Sequence, residues 1–139
     1  MMKRILPIVC LLLGQFVFAA HSQTIIEANA VQVAWDEVTT LDNGDPIPTG
    51  SIIAYEVFVA PSGNKAAAVS QGEVTGTSYT VQLPGEGVFV VGVRTVRVVD
   101  SVRYESEINW SDENGASTPD PFLVRLYLPP AIPTGLRAF

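Results

Sequence analysis

Val88-Phe89-Val90-Val91-Gly92-Val93-Arg94-Thr95-Val96-Arg97-Val98-Val99 is the stretch on which the fold turns. It is rich in β-branched residues and opens after Leu83-Pro84-Gly85-Glu86-Gly87, a dense turn signal. Asp100-Ser101 suits a hairpin tip, with 102–110 as the returning strand. Alternation sets Phe89, Val91 and Val93 on one face, with Val88, Val90 and Val96 on the other. Working outward, Val31, Val33 and Trp35 share a face, as do Ile53, Tyr55, Val57 and Val59, and then Tyr79, Val81 and Leu83. Between the first two sets lies the turn Asp42-Asn43-Gly44-Asp45-Pro46. No stretch carries a convincing helical period. Short alternating strands separated by turns predict an all-β chain, folded as a β-sandwich.

Composition bounds the function. The chain has 139 residues, 47% hydrophobic and 16% charged, which excludes a disordered chain. Residues 1–4 are short and basic, and 5–20 are apolar, the order of a secretory signal peptide. Ala20-His21-Ser22 places small residues for cleavage before Gln23, with cleavage after Ala19 as the second site. An uncleaved signal anchor is the competing reading of this run. Residues 23–139 hold room for one domain, with 23–113 as the folded module and 114–139 as a Pro-rich C-terminal extension. All 14 acids but only six of the eight bases lie beyond residue 22, a formal charge of −8. That excess argues against nucleic acid as a partner, and against an anionic membrane once the signal is removed. The single His21 and single Cys10 both fall in the signal segment. The exported part then holds no imidazole, no thiol and only Lys65 as a lysine, which removes most nucleophilic and acid–base chemistry. No disulfide would hold it together either.

The order of motifs resembles the fibronectin type III family. It reads Val31-x-Val33-x-Trp35-Asp36, then Ile52-x-x-Tyr55-x-Val57, Thr77-x-Tyr79-Thr80-Val81-x-Leu83, Leu83-Pro84-Gly85 and Phe89-x-Val91-x-Val93-Arg94, across residues 24 to 112. The resemblance is to the short secreted single-domain type found in bacteria and phages. It implies an immunoglobulin-like β-sandwich in which Trp35 is a core residue of the second strand. Two departures stand out. Phe89 occupies the place of the family's corner tyrosine, and 24–29 lacks the opening Pro-x-x-Pro-x-x-Leu. That signature sits at the far end instead, in Pro130-Ala131-Ile132-Pro133-Thr134-Gly135-Leu136.

Two surface features are candidate binding residues. Phe58 and Val90 fall on the outward set of adjacent strands, an apolar face open to a partner or covered by 122–128 of the same chain. Arg94, Arg97 and Arg103 concentrate half of the remaining bases on one hairpin, for an anionic group or for pairing with Glu105 and Glu107. Asp42, Asn43 and Asp45 offer hard oxygen atoms, but their spacing is that of an ordinary turn, so no metal or other cofactor is expected. Asn109-Trp110-Ser111 fits a glycosylation sequon inside a predicted strand. The fourteen acids fall mainly on turns and outward positions, so no carboxylate pair is singled out for glycoside hydrolysis and no catalytic residue is expected.

The expected function is a secreted, non-catalytic module for adhesion or structural protein–protein interaction, periplasmic, extracellular or part of a virion. Its partner would be a protein or a cell-surface glycan. A carbohydrate-binding accessory domain is the alternative, requiring Tyr104, Trp110 and Tyr127 exposed together. Self-association through the C-terminal segment is a third reading, in which 133–139 adds to a sheet edge. A tail left from a tandem ancestor explains the same signature. Mass spectrometry of the exported chain is expected to place its first residue at Gln23. Retention of residues 1–22 would establish the anchor instead.

Overall fold

A computed structural model describes residues 23–113 and 115–138; the expected signal segment, with Cys10 and His21, lies outside the described residues. The fold is all-β, with a mixed large sheet and a second, two-stranded sheet arranged as in a sandwich. The strands are β1 (Thr24–Glu27), β2 (Ala30–Ala34), β3 (Ile52–Pro61), β4 (Val69–Val74), β5 (Ser78–Gln82), β6 (Gly87–Val99), β7 (Val102–Glu105), β8 (Asn109–Trp110) and β9 (Phe122–Leu126). One 3-10 turn, Lys65–Ala67, precedes β4.

The β-branched run 88–99 becomes β6, and most of the large sheet is laid against it. One edge pairs antiparallel with β3 from Phe89↔Pro61 to Val98↔Ile52. The other edge is covered in three pieces: β7 at Val96–Val99, β8 at Gly92 and Val93, and β9 at Gly87–Phe89. Asp100 and Ser101 both take positive φ, 49° and 66°, as the two central residues of a tight hairpin require. The small sheet pairs β2 with β5, and Val31 lies opposite Val81.

The alternation read from sequence holds on the inner faces. Val33, Val57, Val59, Val81, Phe89, Val91 and Val124 form the main core, with Val31, Trp35, Tyr79, Leu83, Val93 and Phe122 packed against it. Phe89 is buried there as a phenyl ring. Tyr55 lies against Trp35, ring centroids 5.4 Å apart, and its hydroxyl accepts a hydrogen bond from the Val38 amide at 2.9 Å.

The C-terminal extension differs from expectation. Residues 122–128 do not lie over the outer face: β9 joins the sheet in plane, between β6 and β1. Val124 is fully buried in the main core, so packing runs straight across the boundary placed at 113/114. Phe122 N donates to Ser111 O at 2.7 Å, and Ser111 N donates to Val91 O, so β9 resumes the line of β8.

The outer face carries a second, smaller core of Phe58, Ala60, Val90 and Trp110, flanked by Ala68, Ile108 and Leu123. Gly92 makes it possible. A Cβ there would stand 2.5 Å from Ile108 Cγ2 and 2.7 Å from Trp110 Cε3, so the ring lies where any side chain would project. Gly92→Ala is therefore expected to destabilise the chain by about 1–3 kcal/mol, the range for overpacking a filled site. Denaturant unfolding of the two proteins measures this, and equal midpoints would contradict the packing described.

Candidate functional site: an open strand edge beside a cleft

The arginine hairpin is built for pairing. Cross-strand register sets Glu73 beside Glu56, and Glu56 beside Arg94. Arg94 reaches Glu56 at 2.6 Å and Glu105 at 2.7 Å, with its guanidinium over the Phe58 ring at 5.0 Å. Arg103 contacts Glu105 at 2.6 Å, Glu56 at 3.2 Å, and Glu73. Arg97, on the inner side, donates to Ser51 Oγ at 2.9 Å. The expected pairing with Glu105 is present, whereas Glu107 is not among the described ion pairs. Sequence reading missed Glu56 and Glu73, whose partners depend on long-range register. An anion arriving here would have to displace carboxylates already bound to Arg94 and Arg103, so the hairpin presents no open anion cradle.

The apolar patch is likewise closed. Phe58 and Val90 are 9% and 0% exposed, which corrects the expectation of an open face at these two positions. Trp110 covers them, and Lys65 sits over its ring at 5.6 Å while bonded to Asp112 and Glu113, each at 3.0 Å. Burial pushes the Lys65 ammonium down, but hydrogen bonds and charge from Asp112 and Glu113 outweigh it and hold its pKa above the ordinary value.

The aromatic platform needed for a sugar is not assembled either. Trp110 is 7% exposed, while Tyr104 and Tyr127 are exposed at opposite ends of β6: Tyr104 faces Arg97, and Tyr127 follows Leu126, which faces Gly87. Ten residues of strand separate those positions, roughly 33 Å. In the Asp42–Asp45 turn, Asn43 Nδ2 donates to Asp45 Oδ2 at 2.8 Å, and Asp45 N to Asn43 Oδ1 at 3.0 Å, so the oxygens serve the turn. Among the described residues no cluster of three His, Cys, Asp or Glu is placed to hold a metal ion. Asn109 is engaged with the loop, donating to Ser117 O at 2.9 Å and accepting from Thr118 Oγ1 at 2.8 Å.

What remains open is an edge. Trp35 N donates to Thr77 O and Leu83 N to Asn29 O, which fixes the odd-numbered residues of β2 as those bonded to β5. The amides and carbonyls of Ala30, Gln32 and Ala34 therefore point to the opposite side, where no strand among the described residues pairs with β2. Beside that edge runs a cleft of about 740 Å³. Val31, Val33 and Trp35 line one wall, Val91 and Val93 the floor, and the loop 116–120 the other wall. Trp35 Nε1 is buried without an acceptor. The sequence suggests a sheet edge to which 133–139 could add, but local pattern does not identify β2 as that edge or show the cleft beside it. In the structure β1 pairs in parallel with β9, Ile26 beside Val124, and leaves β2 uncovered.

No family model matches the chain, and neither does any curated protein or solved structure.

Glu56 is the hub of the ion-pair network. Burial pushes its carboxyl up, but hydrogen bonds from Ser70 and Arg94 and the charges of Arg94 and Arg103 outweigh that and hold its pKa below the ordinary 4.5. A lowered folded-state pKa means that this stabilisation is fully present above the unfolded value and is lost as pH falls through the folded one. Glu56→Gln is expected to cost about 1–3 kcal/mol at pH 7. The gap from the parent chain should close toward pH 3 in urea unfolding. A gap independent of pH would show that the network carries no such stabilisation.

Proposed function

We propose that the chain is a secreted, non-catalytic fibronectin type III-like module that works by protein–protein interaction, in adhesion or as a structural subunit. The type III reading is supported by the motif order and by a β2–β5 sheet facing β3 and β6, with β4 on the outer edge of β3. The departure is β1, which lies beside the last strand rather than beside β2. Export is supported by the basic and apolar order of residues 1–20. A non-catalytic role is supported by the chemistry beyond residue 22, where carboxylates are the principal ionisable groups and the most buried of them, Glu56, is committed to arginine.

The observation that carries the interaction reading is the unpaired edge of β2 beside a cleft whose β2 wall and floor are apolar, with Val31, Val33, Trp35, Val91 and Val93, and whose far wall is mainly polar. An extended segment placed there gains main-chain hydrogen bonds from Gln32 and Ala34, and its alternate side chains enter the cleft. Gln32→Pro isolates this edge. Its amide faces away from β5, so proline removes an outward donor while leaving the β2–β5 ladder intact. Peptides selected from a random library against the exported chain are expected to bind Gln32→Pro at least about tenfold more weakly, one lost hydrogen bond plus a steric block. Selected peptides that bind both proteins equally would overturn the edge as the interaction site.

A further inference from the structure

We propose that the open edge of β2 is filled by the C-terminal segment 131–137 of a second copy of this chain, added parallel to β2, so that subunits join head to tail. This rests on the reading of the chain as an interaction module and names its partner. The segment exposes its large apolar side chains. Residues 127–138 form no strand, and Ile132 and Leu136 are 86% and 99% exposed, the two most exposed of the large apolar side chains described. An apolar strand-length segment and an unpaired strand edge are complementary requirements within one sequence.

The position of Pro133 selects the orientation. For Ile132 and Leu136 to enter the cleft, they must point to the same side as Val31 and Val33, with 131, 133, 135 and 137 pointing out. The free amides and carbonyls of β2 belong to its outward residues, Gln32 and Ala34. In an antiparallel addition the outward residues of the newcomer would form the bonds, and Pro133 has no N–H to give. In a parallel addition the inward residues 132, 134 and 136 form them, and the proline nitrogen faces away. The register that sets Pro133 beside Gln32 also sets Arg137 beside Asp36. Five residues of each strand, roughly 17 Å, are matched.

The donor is a second copy because the chain's own tail leaves in the wrong direction. β9 ends beside Gly87, at the end of the sandwich where Ala28 N donates to Arg125 O and β2 begins. β2 runs away from that end, so filling its own edge would require residues 127–131 to reverse. Leu128 and Pro129 each precede a proline and are held extended, which opposes the reversal. The large sheet guards its edges with Glu27 on β1, and with Glu73 and a register-shifting bulge on β4. The small sheet has no charge on either edge, and of its two strands only β2 lines the cleft.

Sedimentation of the exported chain across about 10 µM to 1 mM tests this, the range suited to a one-strand contact. The average mass is expected to rise with concentration. Gln32→Pro removes the acceptor edge, and Ile132→Asp with Leu136→Asp removes the donor; each protein alone is expected to stay a monomer with the circular dichroism of the parent. Mixed together, they should form a dimer and nothing larger, because one intact edge meets one intact tail. A parent chain that stays monomeric throughout would overturn the proposal, as would association in which both variants match the parent. A monomer whose melting temperature falls on tail substitution would assign the edge to its own tail and overturn it equally. If the chain stays monomeric while selected peptides still require Gln32, the second-copy partner fails and the interaction module stands. If neither holds, both fail.

Discussion

The structure depends on satisfying both edges of β6. A strand of thirteen residues exposes a long row of amides and carbonyls on each side, and burial in the middle of a sandwich makes each one costly to leave unpaired. β3 matches one side with a single strand. No single strand matches the other, so β7, β8 and β9 are laid end to end along it. That arrangement draws the residues after 113 into the core. It also makes Phe122 take up the line where Ser111 leaves it. Ser111 helps at the join, its buried hydroxyl accepting from the Val91 amide at 3.0 Å.

The same sheet solves two problems on its outer face. At the end near Val90, Trp110 folds over Gly92 and closes a small apolar core, with Lys65 fixing the ring from above. At the hairpin end, Arg94 and Arg103 lie among Glu56, Glu73 and Glu105, and Val96 is buried on the same face. The aliphatic stems of arginine shield such a residue while their guanidinium groups meet the carboxylates. An apolar fraction in excess of one core is thereby used by a second, and a cluster of bases on one hairpin is matched to acids from two other strands. Both features are engaged within the chain.

The parts visible in the sequence are those set by local pattern. Period-two alternation identified Val31, Val33, Tyr55, Val57, Val81 and Val91 as core-facing, and Asp100-Ser101 marked the hairpin tip. Alternation says which side chains share a face; it does not say which face is covered. Phe58 and Val90 were correctly placed outward, and their burial depends on Trp110, which arrives through β8 from eighteen residues beyond Gly92. The partners of Arg103 were hidden for the same reason. Glu56 and Glu73 meet it only through the β3–β4 and β3–β6 registers, which no local window contains. That some sheet edge could accept 133–139 was legible, but which edge was not, because an unpaired edge is defined by a strand that goes elsewhere.

That strand is β1, and its placement follows from the backbone of its link. A two-residue hairpin between β1 and β2 needs positive φ at one or both loop residues. Among the described non-glycine residues only Asp100 and Ser101 take positive φ, so Ala28 and Asn29 do not fold the chain back on itself. They carry it from one sheet to the other. β1 then meets the outer edge of β9, where Ile26 stands beside the fully buried Val124 and the Ala28 amide closes on Arg125. The pairing protects the last strand of the large sheet, and one short segment cannot protect β2 as well. Exposed apolar side chains that would suit the cleft beside β2 occur at Ile132 and Leu136, beyond prolines that hold 128 and 129 extended. On the proposal made above, a second molecule supplies the complement that the direction of β9 and the prolines after it disfavour within one.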